Sequence, residues 1–134
     1  MIQKINHLGI AVNNLDEQIP FYRDILKFNF LGIEEVSDQK VRVAIFQIGE
    51  VKIELLEPTD PDSPIAKYLD KKGAGIHHIA YQTDNIQHQI DELTNQNINM
   101  IDQQPRTGAH QTKIAFIHPK SSGKILIELC QPSE

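Results

Sequence analysis

Residues 5–15 read INHLGIAVNNL and residues 76–86 read IHHIAYQTDNI, so the chain contains two related segments. His7 aligns with His78 at an offset of 71 residues, and Asn14 aligns with Asn85 at the same offset. Each segment has the alternation of a strand, then an Asn suited to cap a helix, then apolar residues at helical spacing. Similarity at a fixed offset is typical of a fold built from two copies of one structural unit.

A second pair of segments supports the duplication. Residues 51–56 read VKIELL and residues 125–130 read ILIELC, so Glu54 aligns with Glu128 at an offset of 74 residues. The two copies therefore differ in length by three residues. This alignment predicts module one over about residues 4–57, a connector over about 58–75 and module two over about 76–131.

Each module has the pattern β-α-β-β-β, which predicts an α+β fold. One such module is too small to bury both faces of its own sheet, so we expect the two modules to pair into one curved mixed sheet within a single domain over residues 1–134. Pro20 lies inside the first predicted helix, where it should kink the helix or shift its start. The predicted strands are 4–12, 28–36, 41–48, 51–57, 76–83, 99–103, 112–118 and 124–131, and the predicted helices are 15–27, 64–71 and 86–97.

Strand alternation places chemically active side chains on one face of the predicted sheet. His7 and His78 lie on the face opposite their apolar neighbours, and Glu54 and Glu128 do the same in the closing strands. Burying two carboxylates is costly unless a cation or hydrogen bonds compensate them. Two His and two Glu form a plausible set for Zn, Co, Ni, Mn or Fe. The alternative is that each is an ordinary hydrogen-bonded or exposed side chain.

Composition excludes several classes of protein. The formal net charge is −5, and no run of Lys or Arg offers a basic surface for nucleic acid. The single cysteine, Cys130, cannot form an intramolecular disulfide, which fits a reducing compartment. No apolar run is long enough to span a membrane, and the first residues lack the pattern of a signal peptide. We therefore expect a cytoplasmic protein that binds neither nucleic acid nor membrane.

The sequence resembles the vicinal oxygen chelate (glyoxalase) superfamily, and the resemblance is greatest to the methylmalonyl-CoA epimerase family. It implies the paired-module fold around a central metal site, with one divalent ion per chain (Co, Zn, Ni or Mn) held by His7, Glu54, His78 and Glu128. The implied reaction interconverts the epimers of methylmalonyl-CoA by removing the α-proton to give an enolate that the metal stabilises. The segments that carry the resemblance are residues 7–12, 53–58, 62–69, 75–80, 105–110, 113–121 and 126–129.

The resemblance also assigns roles and shows one departure. Several epimerases have a second glutamate, proposed as an acid/base, where Val43 stands here. We expect Glu128 to be the first candidate for the base and Glu54 the second. Lys120, in the turn of residues 118–123, is a candidate contact for a phosphate of an acyl-CoA substrate. By analogy with other paired-module proteins, we expect a homodimer.

Two other functions use the same fold. One is a glyoxalase I-like lyase acting on lactoylglutathione or a related thiol hemithioacetal, with the same types of metal ligand. The other is a metal-free ligand-binding module of the drug-resistance kind, which typically lacks the ligands. The presence of all four candidate ligands counts against the binding module. The connector and the turn of residues 118–123 favour the epimerase over the lyase.

Overall fold

The structure is a computed structural model that describes residues 1–133. It contains eight strands and three α-helices within that range. The strands are β1 (Ile2–Ala11), β2 (Asn29–Val36), β3 (Val41–Ile48), β4 (Val51–Pro58), β5 (Gly75–Thr83), β6 (Arg106–Thr107), β7 (Lys113–Ile117) and β8 (Ile127–Gln131). The helices are α1 (Leu15–Pro20), α2 (Pro64–Lys72) and α3 (Ile86–Asn95). Across residues 1–133 no helix has both the length and the apolar character needed to cross a bilayer.

The strands form one mixed sheet in the order β2-β3-β4-β1-β5-β8-β7-β6, which confirms the predicted α+β class. The chain divides into two compact units, one of them His7–His77 and the other Met1–Asn6 together with the chain from His78 onward. Strand β1 contributes to both, because its first five residues belong to the second unit and its last five to the first. Within the second unit, Nδ2 of Asn6 donates a hydrogen bond to Oε1 of Gln82 at 2.9 Å.

In the His7–His77 unit, β2, β3 and β4 are antiparallel and β4 pairs in parallel with the second half of β1. Helix α1 begins at Leu15 because the side chain of Asn14 accepts a hydrogen bond from the backbone N–H of Glu17. Oε2 of Glu57 accepts a further hydrogen bond from the N–H of Leu15, which fixes the helix to β4. The apolar face of the sheet packs under the helix. The buried residues of this core are Val12, Leu15, Ile19, Ala44, Phe46, Ile53 and Leu55.

In the second unit, β5 pairs in parallel with β8, and β8, β7 and β6 are antiparallel. Helix α3 is capped by Asn85, whose side chain accepts from the N–H of His88, as the alignment with Asn14 predicted. The core between this helix and its strands contains Ile86, Ile90, Met100, Ala115, Ile117 and Leu129. Both predicted cap residues are therefore confirmed.

Pro20 changes the first helix in a specific way. The α-helix ends at Pro20, and residues Phe21–Ile25 continue as a π-helical turn in which the N–H of Leu26 bonds to the carbonyl of Phe21. Proline has no N–H for the regular ladder, so an irregularity was expected at this point. The segment predicted as a helix over 15–27 is therefore helical over 15–25, and it is α-helical only as far as Pro20.

The predicted strand at 99–103 was also wrong. Met100 makes only an isolated bridge to Ile117, and Oδ2 of Asp102 accepts from the N–H of Phe116 at 2.8 Å. The side chain of Asp102 thus accepts the hydrogen bond that a backbone carbonyl would accept in a regular strand. The strand that pairs with β7 on the side away from β8 is instead β6, which has two residues and too short a pattern to predict. Strand β8 starts at Ile127 rather than 124, because Lys124 has a left-handed φ of +73°.

Candidate metal and proton-transfer site

His7 and Glu54 form a buried pair in the His7–His77 unit. Strands β1 and β4 are parallel neighbours in which Gly9 is the partner of Glu54, so His7 and Glu54 lie on the same face of adjacent strands. Nδ1 of His7 is 3.5 Å from Oε2 of Glu54. The two residues are only 6% and 7% exposed.

Burial shifts the protonation of both members of this pair. It lowers the pKa of His7 to about 3, with a further lowering by the charge of Lys52. It raises the pKa of Glu54 to about 7, where Lys52 opposes the shift and Glu34 adds to it. At neutral pH the imidazole is therefore uncharged, which is the form that binds a metal ion.

His78 and Glu128 form the corresponding buried pair in the second unit. Nε2 of His78 is 3.3 Å from Oε1 of Glu128, and the residues are 5% and 4% exposed. Strands β5 and β8 are parallel neighbours in which Ala80 is the partner of Glu128. The ring of His78 stands edge-on to the ring of Phe116, 5.7 Å between centroids. The aligned residues of the two segments thus make the same kind of pair in each unit.

His77 and His78 have different surroundings, as strand alternation predicted. The His77 ring is 4.9 Å from the ring of Tyr68, in an edge-to-face arrangement. His77 is half-buried, whereas His78 is buried against Glu128 and Phe116. Of the two neighbouring histidines, only His78 is therefore a candidate ligand.

The donor atoms within each pair are of the types that a divalent cation binds. Each pair offers an imidazole nitrogen and a carboxylate oxygen, and both are ligand types that Zn, Co, Ni and Mn accept. A buried carboxylate is costly without a compensating charge, and the raised pKa of Glu54 is a sign of that cost. A bound cation would remove the cost by favouring the ionised carboxylate.

The remaining predicted residues lie at the surface or contribute no proton-transfer group. Lys120 is exposed in a short 3-10 turn, Pro119–Ser121, where Nδ1 of His118 accepts from its backbone N–H. Val43 is 2% exposed in β3, between Glu34 of β2 and Leu56 of β4. Val43 therefore fills its position on the sheet with an apolar side chain.

Two charged residues near the His7–Glu54 pair were missed from the sequence. Lys52 is the β4 partner of His7, and its charge acts on both His7 and Glu54. Glu34 lies two strands away on β2 and acts on Glu54. Counting alternation within each strand does not find them, because their proximity depends on the register between strands.

Comparisons with known proteins identify the family of the chain. Residues 6–116 match the family model described as the Glyoxalase/Bleomycin resistance protein/Dioxygenase superfamily. The chain is 44% identical to the uncharacterized protein YqjC of Bacillus subtilis, over 98% of this chain and 94% of that protein. It is 36% identical to an ethylmalonyl-CoA/methylmalonyl-CoA epimerase of Cereibacter sphaeroides, over 98% of this chain and 99% of that protein.

Solved structures give the same result. The methylmalonyl-CoA epimerase of Mycobacterium tuberculosis has a TM-score of 0.96 and 35% identity, covering 99% of this chain and 90% of that one. A methylmalonyl-CoA epimerase in complex with methylmalonyl-CoA and NH4+ has a TM-score of 0.95 and 33% identity, covering 99% and 96%. The chain therefore belongs to the glyoxalase superfamily and, within it, to the methylmalonyl-CoA epimerase family. It is an isomerase of the epimerase type, as the sequence motifs implied.

Proposed function

We propose that this protein is a metal-dependent epimerase that interconverts the two epimers of methylmalonyl-CoA. The observation that carries the proposal is the pair of buried His–Glu contacts, His7–Glu54 and His78–Glu128, at equivalent positions of two related segments. We further propose that residues 1–134 form one domain with one site and one divalent ion, Co, Zn, Ni or Mn. His7, Glu54, His78 and Glu128 would hold the ion.

The proposed reaction needs a positive charge and a base. The α-carbon of the substrate lies between a carboxylate and a thioester carbonyl, and loss of its proton puts negative charge on the thioester oxygen. A bound divalent ion would supply Lewis-acid stabilisation of that charge, worth several kcal/mol. The four buried side chains would exclude water from the ion and fix its position.

Glu128 is the proposed base for the α-proton. It is an ionisable group beside His78, and its carboxylate is buried, where water competes little for a substrate proton. The proton passes to a carboxylate oxygen while the electrons of the C–H bond remain on the substrate as an enolate. Glu54, whose pKa is raised to about 7, is the second candidate for the base.

The proposal of an acyl-CoA substrate is supported by the relatives and by one side chain of this protein. Both the Cereibacter sphaeroides relative and the compared structures are epimerases of methylmalonyl-CoA by name, and one structure contains methylmalonyl-CoA. Lys120 is exposed on a short turn, so its ammonium group is accessible to a phosphate of CoA. A substitution Lys120→Ala should then raise KM for the acyl-CoA with little change in kcat.

The test is proton exchange in heavy water. One epimer of methylmalonyl-CoA is incubated in D2O with metal-loaded protein, with chelator-treated protein and without protein, and both deuterium content and configuration are followed. We expect deuterium uptake with inversion only with the metal-loaded protein. If that protein leaves methylmalonyl-CoA unchanged but isomerises a thiol hemithioacetal, the lyase function replaces the epimerase function.

A further inference from the structure

Inversion of a carbon centre requires a proton to leave one face and a proton to arrive at the other. Glu128 is the proposed base on one face, and Val43 offers no group that could exchange a proton. A second proton donor must therefore come from another position. The strand register of the His7–His77 unit shows which residues share the face of His7 and Glu54.

Directly paired residues of antiparallel strands point to the same face of a sheet. Glu54 of β4 pairs with Ile45 of β3, and Val43, two residues from Ile45, lies on the same face. Val43 pairs with Glu34 of β2. Glu34 therefore projects from the same face as Glu54, with one strand between them.

The face of Glu34 depends on a bulge in β2. The register shifts between Phe30 and Gly32, so that Phe30 pairs with Phe46 and Gly32 with Ile45. Without the extra residue, Leu31, the side chain at position 34 would point toward the helix side of the sheet. The bulge thus places Glu34, rather than Glu35, on the face of the metal-site residues.

Two further features of Glu34 support a role in proton transfer. It is half-buried on the edge strand of the sheet, so it can exchange protons with solvent between turnovers. Its charge also contributes to raising the pKa of Glu54, after the larger effect of burial. Lys52, the other ionisable residue that the register places on this face with His7 and Glu54, acts on both of them as a charge partner.

We propose that Glu34 is the second acid/base of the epimerisation and performs the role of the glutamate that Val43 replaces. The inference rests on the proposed function. Glu128 takes the α-proton of one epimer, and the carboxylic acid form of Glu34 gives its proton to the opposite face of the enolate. The enolate electron pair forms the new C–H bond, Glu34 becomes a carboxylate and Glu128 a carboxylic acid, and solvent restores both. The reverse reaction uses Glu34 as the base.

The test compares Glu34→Gln with its neighbour Glu35→Gln. Glu35 is exposed and pairs with Arg42 on the opposite face, so it is a matched control. Each epimer of methylmalonyl-CoA is incubated separately in D2O with each variant. We expect Glu34→Gln to slow inversion about 100-fold in both directions, the usual scale for loss of a general acid or base. Glu35→Gln should stay within twofold of the original protein.

Exchange without inversion is the distinctive result. In Glu34→Gln, Glu128 still removes the proton of one epimer and returns deuterium to the same face. That epimer should gain deuterium within threefold of the original rate and keep its configuration, while the other epimer exchanges about 100-fold more slowly. Glu34→Asp, which retains a carboxyl group, should recover part of the inversion.

Three results would overturn the role of Glu34. They are unchanged inversion in Glu34→Gln, equal loss of inversion and exchange for both epimers, and no recovery of inversion in Glu34→Asp. Failure of the proposed function gives a different result, because the unsubstituted protein would then show neither exchange nor inversion. Circular dichroism and metal content, expected to be unchanged, separate a lost proton donor from a lost fold.

Discussion

Nε2 of His78 lies 3.3 Å from Oε1 of Glu128, on parallel neighbouring strands, with both side chains buried. A carboxylate in this position can serve as a metal ligand, as a base or as both. A change from carboxylate to amide affects the role as metal ligand less than the role as base. An amide retains a neutral oxygen that can contact a metal, but it cannot accept a proton.

Glu128→Gln is therefore expected to reduce the rate of epimerisation by at least about 100-fold while bound metal falls by less than about twofold. The rate is measured by inversion of methylmalonyl-CoA and the metal by elemental analysis of the same samples. Glu92→Gln, on the exposed side of α3, is the control. A parallel fall of rate and metal content would make Glu128 a ligand without a role as base.

One divalent ion per chain is expected in protein purified with that metal available, and His78→Ala should lose most of it. Removing one imidazole from the proposed set takes away a ligand and removes the contact of His78 with the buried carboxyl group of Glu128. Elemental analysis and the rise in Tm on metal addition measure the effect. His88→Ala is the control, since that side chain is 68% exposed on α3. Stoichiometry well below one in the unsubstituted protein would contradict the prediction.

Asp102→Ala is expected to lower the free energy of unfolding by about 1–3 kcal/mol, because the half-buried carboxylate satisfies the N–H of Phe116. The same carboxylate contacts Nε of Arg106 at 3.2 Å. Urea denaturation measures the change. Asp91→Ala, at an exposed position of α3, should change the unfolding energy by less than about 0.5 kcal/mol. Equal effects of the two substitutions would show that the contact to Phe116 contributes nothing.

A homodimer is expected by analogy with other paired-module proteins. Light scattering at micromolar concentration should give about twice the chain mass of 15.2 kDa. A mass of one chain across that concentration range would contradict the expectation. The measurement needs no variant and is independent of the metal prediction.

The sequence predicts those features that depend on periodicity within one strand or helix. Alternation correctly placed Leu55 and Leu129 in the cores and identified His7 and His78 as residues on the other face. It failed where a side chain or a backbone irregularity replaces a regular hydrogen bond, as at Asp102 and after Pro20. Such exchanges depend on partners distant in the chain, which periodicity does not record.

The position of Glu34 shows the same limit within the candidate site. Two acidic residues, Glu34 and Glu35, are adjacent, so their side chains point to opposite faces of the sheet, and only one of them shares the face of His7. The unpaired residue Leu31 decides between them, and only the register of β2 against β3 reveals it. Lys52 likewise became visible through its pairing with His7. The candidate ligands could be predicted from the sequence, whereas their charged neighbours could not.

Strand β1 has a consequence for biosynthesis. Residues 2–6 are synthesised before β5, and Asn6 precedes Gln82, the acceptor of its side-chain hydrogen bond, by 76 residues. The nascent chain can thus assemble the His7–His77 unit before residues 2–6 form their hydrogen bonds to β5. The strand that carries His7 therefore gains the hydrogen bonds of its first half only after β5 has been synthesised.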